Sequence, residues 1–141
     1  MSLSKGGLLL GVSAVVVIGA VAAAVLMVGG PQAERERALD DRRAGDLQGL
    51  STWTDYYYQQ HQELPAGLAA LATDRGGLAL SVRDPETGVP YEYRVIGGRR
   101  QYELCATFAR ASGEGRPLTA ANFWAHPAGH QCFTLEAKNG R

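Results

Sequence analysis

The sequence has little cysteine and no surplus of either charge: two Cys in 141 residues, and 14 Lys+Arg against 14 Asp+Glu. A neutral balance argues against a protein that coats nucleic acid, which needs a basic excess. It equally argues against an acidic disordered tail. Neither cysteine stands in a CxxC or CxxCH pattern, so a thioredoxin-type centre and covalent haem are not indicated. No glycine-rich phosphate loop of the Walker or dinucleotide type is present. Ser51, Thr52 and Ser112 have no nearby histidine pattern that would make one of them a nucleophile. Histidine is scarce as well. His126 and His130 are four apart, but Pro127 and Gly129 between them oppose a helix, and His61 is the sole other histidine. A metal site is therefore not expected. Asp40, Asp41, Glu34 and Glu36 lie in a run of alternating charge and read as solvated helix surface. No enzyme, cofactor or metal is expected from these residues.

Hydrophobic residues make up 45% of the chain, but they are unevenly spread. Residues 1–30 are nearly all apolar or Gly, with Lys5 the one charged side chain, and the remainder holds 13 Lys+Arg against 14 Asp+Glu. Residues 8–28 carry no charge and read as a membrane helix. At 1.5 Å per residue the run is roughly 31 Å long, the thickness of a bilayer core. It is longer than a signal-peptide core, and Gly29-Gly30-Pro31 is a poor cleavage site, so a retained anchor is expected. Gly7 with Gly11, and Gly19 with Ala23, put small residues on neighbouring turns, a pattern that lets helices approach closely in lipid. The Lys/Arg count on either side of the run (Lys5 before it; Arg35, Arg37, Arg42 and Arg43 after) places the C-terminal part in the cytoplasm. The cysteines point the other way.

Cys105 and Cys132 each sit in a strand-like run, residues 102–108 and 131–135. If those strands pair, the thiols can face one another. A bridge there closes a loop of about 27 residues and contributes on the order of 3 kcal/mol. The alternative is two unrelated buried thiols in a reducing compartment. A disulfide is expected, and with it an oxidising, periplasmic location.

Residues 33–62 read as a helix with an apolar stripe at Leu39, Leu47, Leu50, Trp53 or Thr54, and Tyr57. It either continues the apolar run as one rod or bends at Pro31. Residues 64–71 read as a short second helix. Turn residues crowd positions 84–90, and strands follow at 91–96 and 101–108 around a hairpin at Gly97-Gly98-Arg99-Arg100. Residues 109–121 read as a loop, the strand around Cys132 completes an antiparallel sheet, and residues 138–141 read as frayed. Tyr56, Tyr58 and Trp124 are the aromatic residues singled out as possible partner contacts.

The motif Asp46-Leu47-x2-Leu50, then Tyr56-Tyr57, then Leu64-Pro65-x2-Leu68-x2-Leu71, resembles the helix-to-loop passage of type II secretion major pseudopilins and type IV pilins. Asp84-Pro85-x-Thr87-Gly88-x-Pro90-Tyr91-x-Tyr93 is similar to their turn and first strand, and Tyr102-x-Leu104-Cys105-Ala106 falls where their second strand lies. The resemblance covers residues 33–108. The prepilin cleavage pattern is not matched: Gly7 follows Lys5-Gly6, and Gly11 stands where those precursors carry Glu.

The expected fold class is thus α+β. An N-terminal transmembrane helix continues into, or is followed by, a long amphipathic helix packed on a small antiparallel sheet. Residues 1–30 are the anchor, 31–63 the amphipathic helix and 64–141 a small periplasmic domain. The expected function is that of a non-catalytic structural or interaction protein of the bacterial inner membrane, N-terminus cytoplasmic and C-terminal domain periplasmic. Its partners would be the lipid bilayer and other membrane-protein subunits, not nucleic acid. The alternative is an accessory subunit that stabilises a large energy-transducing membrane complex, photosynthetic or respiratory.

Overall fold

The computed structural model describes residues 5–28, 30–74, 80–113 and 123–139, with the backbone alone at 5, 8, 25–28 and 74. The chain divides into two compact units, Met1–Arg35 and Glu36–Arg141.

In the first unit, residues 5–28 contain no proline and no polar side chain apart from Lys5 and Ser13, and they form helix α1 (Lys5–Val28). Ser13 turns its hydroxyl back onto the Leu10 carbonyl at 3.0 Å, which satisfies it inside the helix. The described side chains of α1 are exposed on every face. The expectation of a membrane-crossing helix is corrected here: among the described residues, no helix is long and apolar enough to cross a membrane. The described side chains of residues 9–24 are uncharged, with Ser13 the one polar group, and cover roughly 24 Å at 1.5 Å per residue. A hydrocarbon core needs about 30 Å. Leu8 and residues 25–28 of the expected span lie outside the described side chains.

Helix α2 (Pro31–His61) begins where Gly30 leaves the helical conformation, so α1 and α2 are separate elements. Pro31 occupies the first helical position, where its missing N–H costs nothing. The Gly30 carbonyl accepts the Ala33 N–H at 2.9 Å, and Glu34 in the first turn suits the positive end of the helix dipole. At the other end Gln62 adopts a left-handed conformation (φ 57°), and its N–H closes on the Tyr58 carbonyl at 2.8 Å. That is an αL cap, and Pro65 soon after prevents any continuation.

The second unit is built on one stripe of α2. Its buried residues are Asp40, Arg43, Leu47, Leu50, Thr54 and Tyr58. They recur every three or four positions, so they share one face. Leu39, expected on this stripe, is only half-buried. Against the stripe packs a three-stranded antiparallel sheet in the order β1-β2-β3, formed by β1 (Glu92–Gly97), β2 (Gln101–Phe108) and β3 (Gly129–Glu136). Strand β2 is central, and its alternation turns Tyr102, Leu104, Ala106 and Phe108 to the helix, with Cys105 also buried on the opposite face. Phe133 joins them from β3, and Leu68 and Leu71 from the short helix α3 (Leu68–Asp74). The Gly98 backbone (φ 60°) provides the turn between β1 and β2 that an L side chain would resist.

Two elements differ from the sequence reading. Helix α3 starts at Leu68, not 64, because the residue before Pro65 is driven out of the helical region and the Gly67 carbonyl takes the first bond, from Ala70 at 3.0 Å. Lys138 is tied down, its N–H donating to Asp55 at 3.0 Å, whereas residues 140–141 lie outside the description. The expected loop at 109–121 is described only to residue 113.

Candidate functional site

Two polar constellations stand out in the second unit. The first joins α2 to the loop that precedes the sheet. Asp84 heads that loop as an Asx turn, its Oδ1 accepting the N–H groups of Glu86 at 2.9 Å and Thr87 at 2.8 Å. Gly88, with φ 70°, completes the turn by donating to the Asp84 carbonyl at 2.9 Å. Arg43 reaches across from α2. Its Nη1 donates to Asp40 Oδ1 at 2.8 Å, its Nη2 to Glu86 Oε2 at 2.8 Å, and Nε and Nη2 both bond the Asp84 carboxylate. Asp40 spends its remaining acceptors on the N–H groups of Ala109 at 3.0 Å and Arg110 at 2.8 Å, just beyond β2. Asp40 and Arg43 are each only 4% exposed. The reading of Asp40 as solvated surface is therefore corrected. Its spacing to Leu47 places it on the buried stripe, a signal the charge pattern obscured.

The electrostatics follow from this geometry. Burial by itself works to raise the Asp84 pKa, but the bonds from Arg43 and from the Thr87 and Glu86 N–H groups overcome it and hold the carboxyl well below the usual range. The bond to Asp84 chiefly holds the Arg43 guanidinium above its usual value, against burial. Such an Asp84 stays ionised throughout the physiological range and has no proton to give, so this is no general-acid pair. Four of the guanidinium's five donors are already engaged. The constellation is a clasp that fixes loop, helix and sheet, not a receptor for an anionic ligand.

Beside the clasp, Tyr91 donates to Asp46 Oδ2 at 2.9 Å, while the hydroxyl of Tyr93 is buried without a hydrogen-bond partner among the described residues. Burial raises both phenol pKa values. Tyr91 is raised further by Asp46, and Tyr93 is pushed up to about 12, with Tyr57 a second cause. Opposite effects are expected on removal. Tyr91→Phe strands an acceptor and should destabilise by about 1.5 kcal/mol, whereas Tyr93→Phe removes an unpaid desolvation and should be neutral or stabilising. Urea denaturation of both variants, read against the wild type, checks the pair. The phenols also set an alkaline limit. Their raised values favour the folded state below about pH 10, and that contribution fades as pH rises and the unfolded phenols ionise.

The second constellation lies on the sheet face turned away from α2. Register places Glu92, Cys105 and Cys132 directly opposite one another across β1, β2 and β3. Cys105 and Cys132 form a disulfide, with S–S 2.13 Å and Cα–Cα 4.1 Å. His130, two residues along β3 and therefore on the same face, meets Glu92 through Nε2 at 3.0 Å. A groove of about 440 Å³ opens between the clasp and this row, with Glu86, Tyr91, Glu92, Ala106 and His130 in its walls.

The remaining residues singled out from the sequence are dispersed. His126 does not share a site with His130 as a ligand pair. It is buried and stacks on Phe108 with ring centroids 3.5 Å apart. Tyr58 is a core residue at 6% exposure, which withdraws it as a surface contact, and Tyr56 is 48% exposed. Trp124 is half-buried against Phe133, centroids 4.9 Å apart. Gly7, Gly11, Gly19 and Ala23 are exposed on α1. The row of Glu92, Cys105, Cys132 and His130 was not legible beforehand, because register alone brings the four together. Comparison with protein-family models, with curated proteins and with solved structures finds no match.

Proposed function

We propose that Glu36–Arg141 is a pseudopilin-like, non-catalytic module that works by contact with partner proteins on the periplasmic side of a bacterial inner membrane. The observation that carries this reading is the Cys105–Cys132 disulfide that ties β2 to β3, and the apolar surface of α1 adds to it. Leu9, Leu10, Val15 and Ile18 are each about 70% exposed. An exposed aliphatic surface of this extent marks a contact site that a partner covers. The disulfide supports an oxidising compartment. The pseudopilin likeness is supported by a long helix, a Pro- and Gly-containing turn and a small antiparallel sheet in the same order along the chain. The exposed Tyr56, edge-on to Trp53 at 5.3 Å, is a suitable contact residue.

The test is fractionation of bacteria expressing the full chain fused at its C-terminus to alkaline phosphatase, which is active only in an oxidising space. The fusion should be active and sediment with membranes. A soluble or inactive fusion sinks the proposal. The second reading, an accessory subunit of an energy-transducing complex, takes the exposed apolar side chains of α1 as a surface that a partner subunit covers. Co-purification in mild detergent separates the two. A stoichiometric complex of redox subunits supports the second, and secretion or pilus components support the first.

A further inference from the structure

We infer that Cys105, Cys132 and His130 form a redox-gated site for zinc: the disulfide keeps it closed, and reduction opens it to the metal, with Glu92 orienting the histidine. The inference rests on the sheet alone and is independent of the membrane reading.

The ligand atoms of the three residues lie within 4.8 Å of one another. A tetrahedral zinc, with Zn–S near 2.3 Å and Zn–N near 2.1 Å, asks for ligand separations of roughly 3.4–3.8 Å. Once the S–S bond is broken, the two sulfurs move apart from 2.13 Å by rotation about their Cα–Cβ bonds. The backbone is held in any case. Cys105 is on the central strand, paired to Glu92 on one side and to Cys132 on the other. Two thiolates and an imidazole are borderline-soft donors that suit zinc over calcium or magnesium.

The surroundings fit the same assignment. Glu92 engages His130 Nε2, which leaves Nδ1 as the ligating nitrogen and reproduces the carboxylate–histidine–metal arrangement that fixes ring orientation in zinc sites. Arg94 Nη2 donates toward Cys132 Sγ at 3.9 Å, a cation that favours the thiolate on reduction, while its pairing with Glu103 at 3.7 Å gives the exposed side chain a second resting place as the metal enters. Cys105 is buried, Cys132 half-buried and His130 exposed, so the cluster is open to solvent on one side only.

The chemistry balances. An external dithiol gives two electrons and two protons to the disulfide and is itself oxidised to a disulfide, and two protein thiols form. Zinc then displaces both thiol protons to solvent and gains two Zn–S bonds and one Zn–N bond. Water fills the fourth position.

The test uses the full chain in detergent, reduced with a phosphine so that no competing thiol remains, and titrated with Co(II) and then Zn(II). The reduced protein should develop thiolate-to-cobalt charge-transfer bands and the d–d bands of a four-coordinate ion at one equivalent, and Zn(II) should bleach them. The oxidised protein should show neither. Cys105→Ser should lower the charge-transfer intensity at least twofold, because it removes one of the two thiolates. Glu92→Gln should keep it with zinc affinity about 10–100-fold weaker, and His130→Ala should lose the four-coordinate signature. Far-UV circular dichroism guards against unfolding, since a chain that loses structure on reduction should regain it on adding zinc. A folded reduced protein without charge-transfer bands, an unfolded one that zinc does not restore, or a His130→Ala variant that binds like the wild type overturns the inference.

Discussion

Replacing Arg43 by Met is expected to lower the unfolding free energy by about 3–5 kcal/mol, the largest single effect in the molecule. The side chain is 4% exposed and the carboxylates of Asp40 and Asp84 are 6% and 11% exposed, so its loss leaves buried negative charge without a counter-ion. Methionine keeps most of the volume, so the effect is electrostatic and not a cavity. In a unit of roughly 100 residues, each kcal/mol moves the midpoint by about 4–8 °C, and the expected drop in Tm is on the order of 15 °C or more. Adding Asp84→Asn should recover part of the loss, because it removes one of the stranded charges. A double variant no more stable than Arg43→Met would show that Asp84 is not the partner that matters.

The same clasp predicts an acid limit. The Asp84 pKa is depressed in the folded state, so its contribution is complete above the unfolded value of about 3.9 and is lost as pH falls below it. Urea midpoints should show no pH dependence from this group between pH 5 and 8 and a decline from about pH 4 downward. The decline should be shallower in Arg43→Met, where the depression has lost its main source. An equal slope in both proteins would reject the clasp as its origin.

Reduction of the Cys105–Cys132 disulfide, with no metal present, is expected to cost about 3–4 kcal/mol. The bond spans a sequence separation of 27, and freeing that loop returns entropy to the unfolded chain. With a urea m value of about 1–3 kcal/mol/M, the midpoint should fall by roughly 1–3 M. Cys105→Ala, Cys132→Ala and the double variant should be destabilised alike, since each breaks the same bond. Additive losses would point to side-chain packing instead. The effect matters because the second unit rests on a thin core, one stripe of a single helix against one face of three strands.

The two constellations were unequally legible in the sequence. The disulfide was readable because both cysteines sit in alternating runs, and antiparallel pairing of those runs brings the thiols together. The clasp was half-legible. The turn at Asp84 follows from Asp-Pro-x-Thr-Gly chemistry, but local charge alternation made Asp40 and Arg43 look like solvent-facing pairs. Their phase with Leu47 and Leu50 is the stronger fact, since a helix buries a stripe regardless of residue type, and a charge on that stripe must find its partner elsewhere in the chain.

Local physics, then, was enough for the elements of this protein. Helical periodicity, the Pro31 start, period-two alternation in β2 and glycine-dependent turns depend on near neighbours, and the sequence alone specified an α+β chain with an apolar N-terminal helix and a disulfide. Tertiary structure decided the rest. It determined which two of four adjacent charges are buried, and that Glu92, Cys105, Cys132 and His130 share one patch of sheet. Each of these depends on register or on packing between residues far apart in the chain. A one-residue slip in pairing would send every side chain of a strand to the other face, and no local pattern around His130 or Glu92 records which face it takes.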